Sequence, residues 1–113
     1  MAEKQTKEVK VAEQFEQDLF AVFEYGEEMF GQTAARSFIA DIYSRIWSLD
    51  DQYLLHPECR HLPTKDHRYH NIILASYLII YRITENAVEV LRILHGHSGI
   101  KKIRSVRSIK SGL

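Results

Sequence analysis

Two apolar arms separated by a short polar break constrain this chain more than any other feature. Tyr77 to Ile83 and Val88 to Leu94 are filled with branched and aromatic side chains, and Thr84-Glu85-Asn86 lies between them. Such side chains fit a pleated, largely covered surface, and so short a break forces antiparallel pairing. The pattern predicts a buried β-hairpin. Tyr77, Ile79 and Tyr81 fall on one side of the first arm, with Leu78, Ile80 and Arg82 on the other. Both sides are too apolar to be left in water.

Upstream, Lys7 to Ala12 alternates charge with Val9 and Val11, the two-residue period of a short strand. From Glu13 the period lengthens: Phe15, Leu19, Val22, Phe23, Gly26 and Phe30 recur at three and four residues, with acids between them. This predicts an amphipathic helix ended by Phe30-Gly31, because glycine tolerates the backbone of a helix terminus. Thr33 is the expected N-cap of a second helix, whose stripe is Ala34, Phe38, Ile42, Ile46 and Leu49, broadened by Ala35, Ile39 and Trp47. The two helices are expected to pair, with Ala34 and Ala35 letting the backbones approach beside the tight turn. Asp50-Asp51 opposes the dipole of that second helix, which predicts a frayed end. Residues 52–68 hold both prolines and no sustained period, and are read as a loop. Tyr69 to Leu74 reads as a strand and Ala75-Ser76 as a tight turn.

The predicted fold is α+β: an N-terminal strand, an antiparallel two-helix hairpin, then a three-stranded antiparallel meander. It forms one domain over residues 1–113, with flexible ends at 1–6 and 104–113. A helix pair covers only one face of the curled antiparallel sheet. The other face is expected to await a partner, the alternative being that the C-terminal segment folds back over it. In that segment Ile100, Ile103, Val106 and Ile109 recur every third residue among five cations. Around an α-helix of about 3.6 residues per turn that spacing gives no clean stripe, so the tail is expected to order only against a partner.

Formal net charge is zero, but the halves differ. Residues 1–50 carry ten acids against five bases, and residues 51–113 carry five acids against ten bases. The basic end suits phosphate or an acidic protein segment, although an ordinary solvated basic terminus has the same composition. No apolar run approaches the roughly 20 residues that span a bilayer. The first eight residues alternate charge where a secretory signal has an apolar block, so a cytoplasmic location with no membrane contact is expected. A single cysteine, Cys59, has no intramolecular disulfide partner.

Cys59, His61, His67 and His70, with His56 nearby, have the chemistry of zinc ligands, but their spacing matches no standard finger and a polar loop is the simpler reading. No metal and no cofactor are expected. Phosphate-cradling glycine loops, dinucleotide fingerprints and nucleophile constellations are missing from the sequence, which argues against a metabolic enzyme. His95 and His97 alternate at a strand end and point the same way, though an edge histidine is more often solvated than catalytic. Arg82 and Arg92 lie on strands, where pairing with a neighbour such as Glu89 is common.

Several pieces in a fixed order carry a resemblance. Phe30-Gly31 is followed by Ala34-Ala35-Arg36-Ser37-Phe38, then Leu54-Leu55-His56-Pro57, then the arm Tyr77 to Ile83, then Val90 to Gly96. This set, from about Val9 to His95, resembles the ParE/RelE family of bacterial toxins, and within it the ParE branch. The resemblance implies a toxin of a type II toxin–antitoxin operon that inhibits DNA gyrase and is neutralised by a cognate antitoxin, touching DNA only indirectly through an antitoxin complex. The sister RelE branch implies the alternative, ribosome-dependent cleavage of messenger RNA without a metal. In the family a Gly-Arg pair stands where this chain has Cys59-Arg60, and His-Gly-Arg-Arg where it has His95-Gly96-His97-Ser98. Metal-free RNA cleavage needs a base, an acid and cations, for which the candidates are His95, His97 and Arg82. No tyrosine follows Tyr81, which favours a toxin that performs no chemistry. Candidate contacts to target or antitoxin are Arg60, Tyr77, Tyr81, Arg82, Arg92, Lys101, Lys102, Arg104 and Arg107.

Overall fold

The computed structural model describes residues 6–113; most of the expected flexible start, residues 1–5, lies outside them. Glu8–Val11 forms β1, Glu13–Phe30 α1, Gln32–Trp47 α2 and Leu49–Gln52 the single turn α3. Tyr69–Leu74 is β2, Tyr77–Ile83 β3, Ala87–His95 β4 and Ile100–Arg104 α4, and a 3-10 turn follows over Ser105–Ser108.

The order strand, helix pair, three strands is that read from the sequence. Gly31 joins the helices with φ 89° and ψ 164°, a backbone region open essentially to glycine alone. Its N–H donates to the Glu27 carbonyl at 3.0 Å and its own carbonyl accepts from Ala35 N–H at 3.1 Å. One residue therefore ends α1 and begins α2, and Thr33 lies inside α2 rather than capping it. The frayed end expected at Asp50-Asp51 is not there either. The chain restarts as α3, so both acids sit in a first turn, where the helix dipole favours them. Leu49 is fully buried, and the Asp50 carbonyl accepts from Lys7 N–H at 2.8 Å, fixing the entry to β1.

The sheet order is β1-β4-β3-β2. β2–β3–β4 is the expected antiparallel meander, with Ile79 opposite both Ile72 and Ile93. β1 pairs with β4 in parallel, Val9 facing Val88 and Val11 facing Val90, which corrects the all-antiparallel expectation. A parallel pair needs a long crossover, and the helices with the meander supply it. Between β3 and β4 the register slips: Ile80 opposes Arg92 and Tyr81 opposes Val90, leaving Leu91 as an extra residue. The bulge brings Leu91 and Leu94 to the same side, although strict alternation places residues three apart on opposite faces.

The chain itself covers most of both sheet faces, Ile73 of edge strand β2 remaining exposed. α1 and α2 seal one face with Phe15, Leu19, Ile42 and Ile46 against Ile79, Tyr81, Val88 and Val90. The other face was expected to await a partner, and this expectation is overturned. Residues 100–113 fold back as a strap, burying Ile103, Val106 and Ile109 against Ile80, Leu91 and Leu94. The threefold spacing makes no stripe on a continuous α-helix, but the backbone changes along the strap: Ile103 lies in α4, Val106 in the 3-10 turn of about 3.0 residues per turn, and Ile109 in the extended residue after it, and all three are buried against the sheet.

The helices approach closely where side chains are small: a Cβ added at Gly26 meets the Ala35 Cβ at 3.5 Å, an ordinary contact. Gly26→Ala is expected to stabilise the protein by about 0.5–1 kcal/mol by removing the backbone-entropy penalty of a mid-helix glycine. Ala35→Leu, at a buried crossing, is expected to cost roughly 1–3 kcal/mol. Urea unfolding of both variants checks the pair of signs.

Candidate functional site

Among the described residues, five exposed large apolar side chains, Phe20, Tyr25, Met29, Phe30 and Trp47, lie on the helix hairpin. α1 turns Phe15, Leu19 and Val22 inward, yet it also carries Phe20, Tyr25, Met29 and Phe30 outside that stripe. Phe20 is 64% exposed and Phe30 70%, values that mark surface with nothing packed on it. A cavity of about 400 Å³ opens where the helix turn meets the β2–β3 turn, walled by Tyr25, Phe30, Ala34, Phe38, Tyr77 and His95. A second, shallow cleft of about 330 Å³ runs between α1 and α2, lined by Leu19, Phe20, Phe23, Ile39 and Tyr43. The Tyr43 ring stacks on exposed Trp47 at 6.3 Å, extending the aromatic surface along α2.

The residues singled out from the sequence do not gather at one place. Tyr77 stands at the cavity wall, its ring 5.8 Å from both Phe38 and His95. Burial, with a smaller effect of Tyr25, holds its hydroxyl above the ordinary tyrosine value. Tyr81 is fully buried: its hydroxyl donates to the Tyr53 carbonyl at 2.6 Å, and burial raises its ionisation well above the usual range. His95 and His97 are exposed neighbours with ring centroids 5.1 Å apart. His95 Nδ1 accepts the His97 backbone N–H at 3.2 Å, which leaves its proton on Nε2. Lys102, Asp18 and Tyr77 line a cleft of about 250 Å³ with His95. Arg60 is exposed on the loop.

Arg82 lies apart from the histidines, beneath the strap. It is 3% exposed; Nε donates to Glu89 at 2.8 Å and Nη1 to the Ile109 carbonyl at 2.8 Å, while Nη2 has no partner. Glu89 in turn accepts from Gly112 N–H at 2.7 Å and from the Ser111 hydroxyl. Thus the buried pair grips the strap from two sides. Arg92 pairs with Asp18 of α1, not with Glu89, through Nε and Nη2 at 2.6 and 2.9 Å. The same carboxylate accepts Ile93 N–H at 3.1 Å, so Asp18 takes the place of a strand neighbour where β1 has ended. Those hydrogen bonds raise the Arg92 ionisation further.

The loop is tied to the sheet by the groups that had suggested a metal. His70 is buried, with Nδ1 and Nε2 each 2.8 Å from a carbonyl oxygen, of His56 and His67 respectively. His67 bonds Glu58 at 2.8 Å, and Cys59 packs in the strap-side core, where burial pushes its thiol up. Among the described residues no group of three or more His, Cys, Asp or Glu side chains is placed to hold a metal ion. Sequence reasoning missed Phe20, Tyr25 and Met29; the available signal was that apolar residues stood outside the inward stripe of α1.

Burial pushes the Glu89 carboxyl up, but the hydrogen bonds from Gly112, Arg82 and Leu113 outweigh it and hold the group below its ordinary value. A depressed carboxylate contributes stability above its unfolded pKa of about 4.3, and that contribution fades as pH falls through the folded value. Glu89→Gln, which strands a buried arginine, is expected to cost roughly 3–5 kcal/mol at pH 7. In denaturant titrations the gap between the native chain and this variant is expected to narrow below about pH 4. A gap independent of pH would show that the carboxylate charge is not what matters.

The chain matches the family model of the ParE toxin of type II toxin–antitoxin systems, parDE, over residues 9–98. No curated protein matches it by sequence. The structure is similar to that of the chromosomal ParDE TA system from P. aeruginosa, at 16% identity and TM-score 0.66, covering 80% of this chain and 97% of that one. It is also similar to the toxin–antitoxin complex RelBE2 from Mycobacterium tuberculosis, at 17% identity and TM-score 0.56, covering 80% of this chain and 98% of that one. These structural likenesses establish a shared fold, while the matched span, from β1 to just past β4, establishes membership. The chain belongs to the ParE toxin family of type II toxin–antitoxin systems.

Proposed function

We propose that this toxin acts by binding DNA gyrase and performs no chemistry of its own, and that a cognate antitoxin neutralises it by seating an apolar segment on the helix hairpin. The observation that carries this reading is the apolar surface left on α1 and α2, where the cavity beside Phe30 and Tyr77 and the cleft beside Phe20 lie open. Aromatic side chains around a pocket are the usual anchors of a protein interface. The two solved structures named above, which share its fold, are of toxin–antitoxin systems, in keeping with a protein partner for this chain. The ribonuclease reading draws less support. Arg82, the strand cation offered for it, is spent beneath the strap on Glu89 and Ile109, away from His95 and His97.

Purified toxin is expected to halt gyrase supercoiling or trap cleaved DNA, and to leave messenger RNA uncleaved when ribosomes are supplied instead. Full supercoiling at excess toxin, together with ribosomal messenger cleavage that vanishes in His95→Ala/His97→Ala, would replace this reading with the nuclease one. Phe20→Asp alters an exposed side chain, so folding should persist. Its antitoxin affinity, measured by calorimetry, is expected to fall at least about tenfold, as for a truncated interface anchor.

A further inference from the structure

The strap has a second side. Its inward residues recur at 103, 106 and 109, so Lys101, Lys102, Arg104, Arg107 and Lys110 are all left exposed. No carboxylate partner exists for any of the five among the described residues: the ion pairs elsewhere join Asp41, Glu58, Asp66, Glu89 and Asp18 to other cations. Beyond the strap Arg107 donates to the Pro63 carbonyl and shares a cleft with Lys65 and with the Arg68–Asp66 ion pair, so Lys65 is the cation that adds to the basic surface there. The exposed acids of α1, including Glu13, Glu16, Glu24 and Glu27, belong to the layer on the opposite face of the sheet. The sheet therefore separates an acidic layer from a basic one, and a polyanion meets attraction from one side only.

From this we propose that the outer face of the strap is a direct binding surface for the phosphate backbone of duplex DNA. Arg104 and Arg107 stand one 3-10 turn apart, a rise of about 6 Å, close to two steps of about 3.4 Å between charges along one DNA strand. Exposed positions from 101 to 110 are lysine, arginine or serine. Single-stranded nucleic acid is gripped by aromatic platforms that stack on bases, and the strap offers none; its exposed aromatics are on α1 and α2 instead. Cations and hydroxyls without stacking rings suit backbone contacts that position a protein on a duplex without reading its sequence. DNA contact through an antitoxin complex alone, the expectation from the family, is thereby extended to the toxin itself.

Fluorescence anisotropy of a labelled 20-base-pair duplex, titrated with the intact toxin between 50 and 200 mM salt, tests the proposal. Five phosphate contacts give a slope of log K against log salt of about −4.5, a loss of affinity of about 500-fold across that range. The variant Lys101→Gln/Lys102→Gln/Arg104→Gln changes only exposed side chains and is expected to flatten the slope by about 2.7, whereas Arg36→Gln on α2 leaves it unchanged. Lack of binding at 50 mM salt, or a triple variant that binds like the native chain, would overturn the proposal. So would tighter binding of the single strand, or competition by poly-glutamate of equal charge as effective as the duplex, which would assign the face to an acidic protein segment. The assay contains neither gyrase nor antitoxin, so its outcome is separate from that of the supercoiling test.

Discussion

A four-stranded sheet with two apolar faces is stable in water only when both are covered, and this requirement organises the whole molecule. The helix hairpin covers the face bearing Ile79 and Tyr81, and the strap covers the face bearing Ile80 and Leu91. At the strap's far end the buried Arg82–Glu89 pair takes over from apolar packing: Arg82 donates to the Ile109 carbonyl, and Glu89 accepts from the Ser111 hydroxyl and from the N–H groups of Gly112 and Leu113. A buried ion pair is costly to form and costlier to break, so its gain here is one of definition: it fixes where the strap ends.

Closing the second face has a functional consequence. Surface for a partner must come from what remains, and that remainder is sorted by layer. The hairpin layer offers aromatic side chains and a cavity, suited to a protein segment. The strap layer offers cations that form no ion pair among the described residues, suited to phosphate. One small domain can thus present different chemistry on opposite sides, with the sheet as an insulating partition between them.

The residues made much of this legible. Period-two and period-four patterns located β1, α1, α2 and the meander, and Phe30-Gly31 marked the helix turn, since that backbone geometry is open essentially to glycine. What stayed hidden depended on long-range geometry. The threefold spacing of Ile103, Val106 and Ile109 was measured against one continuous α-helix, whereas the segment passes from α-helix to 3-10 turn to extended backbone and buries all three. The bulge at Leu91 and the parallel pairing of β1 depend on register, which no local pattern encodes. Of the site, the strap cations and Tyr77 were visible as charge and aromaticity. Burial of Tyr81 and Arg82 could not be seen while the covering strap was unrecognised, and exposed Phe20 and Tyr25 passed as ordinary helix residues.

Hydrogen exchange of the isolated toxin, with no antitoxin or target present, tests most directly whether the chain seals its own sheet. The amides of Lys102, Ile103 and Ile109 donate to the carbonyls of Gly99, Gly99 and Val106, and that of Gly112 to Glu89. They are expected to exchange far more slowly than in an unstructured chain, as buried and hydrogen-bonded groups do. Exchange of residues 100–113 at unstructured rates, with the amides of β3 and β4 still protected, would contradict the strap and return the second face of the sheet to a partner.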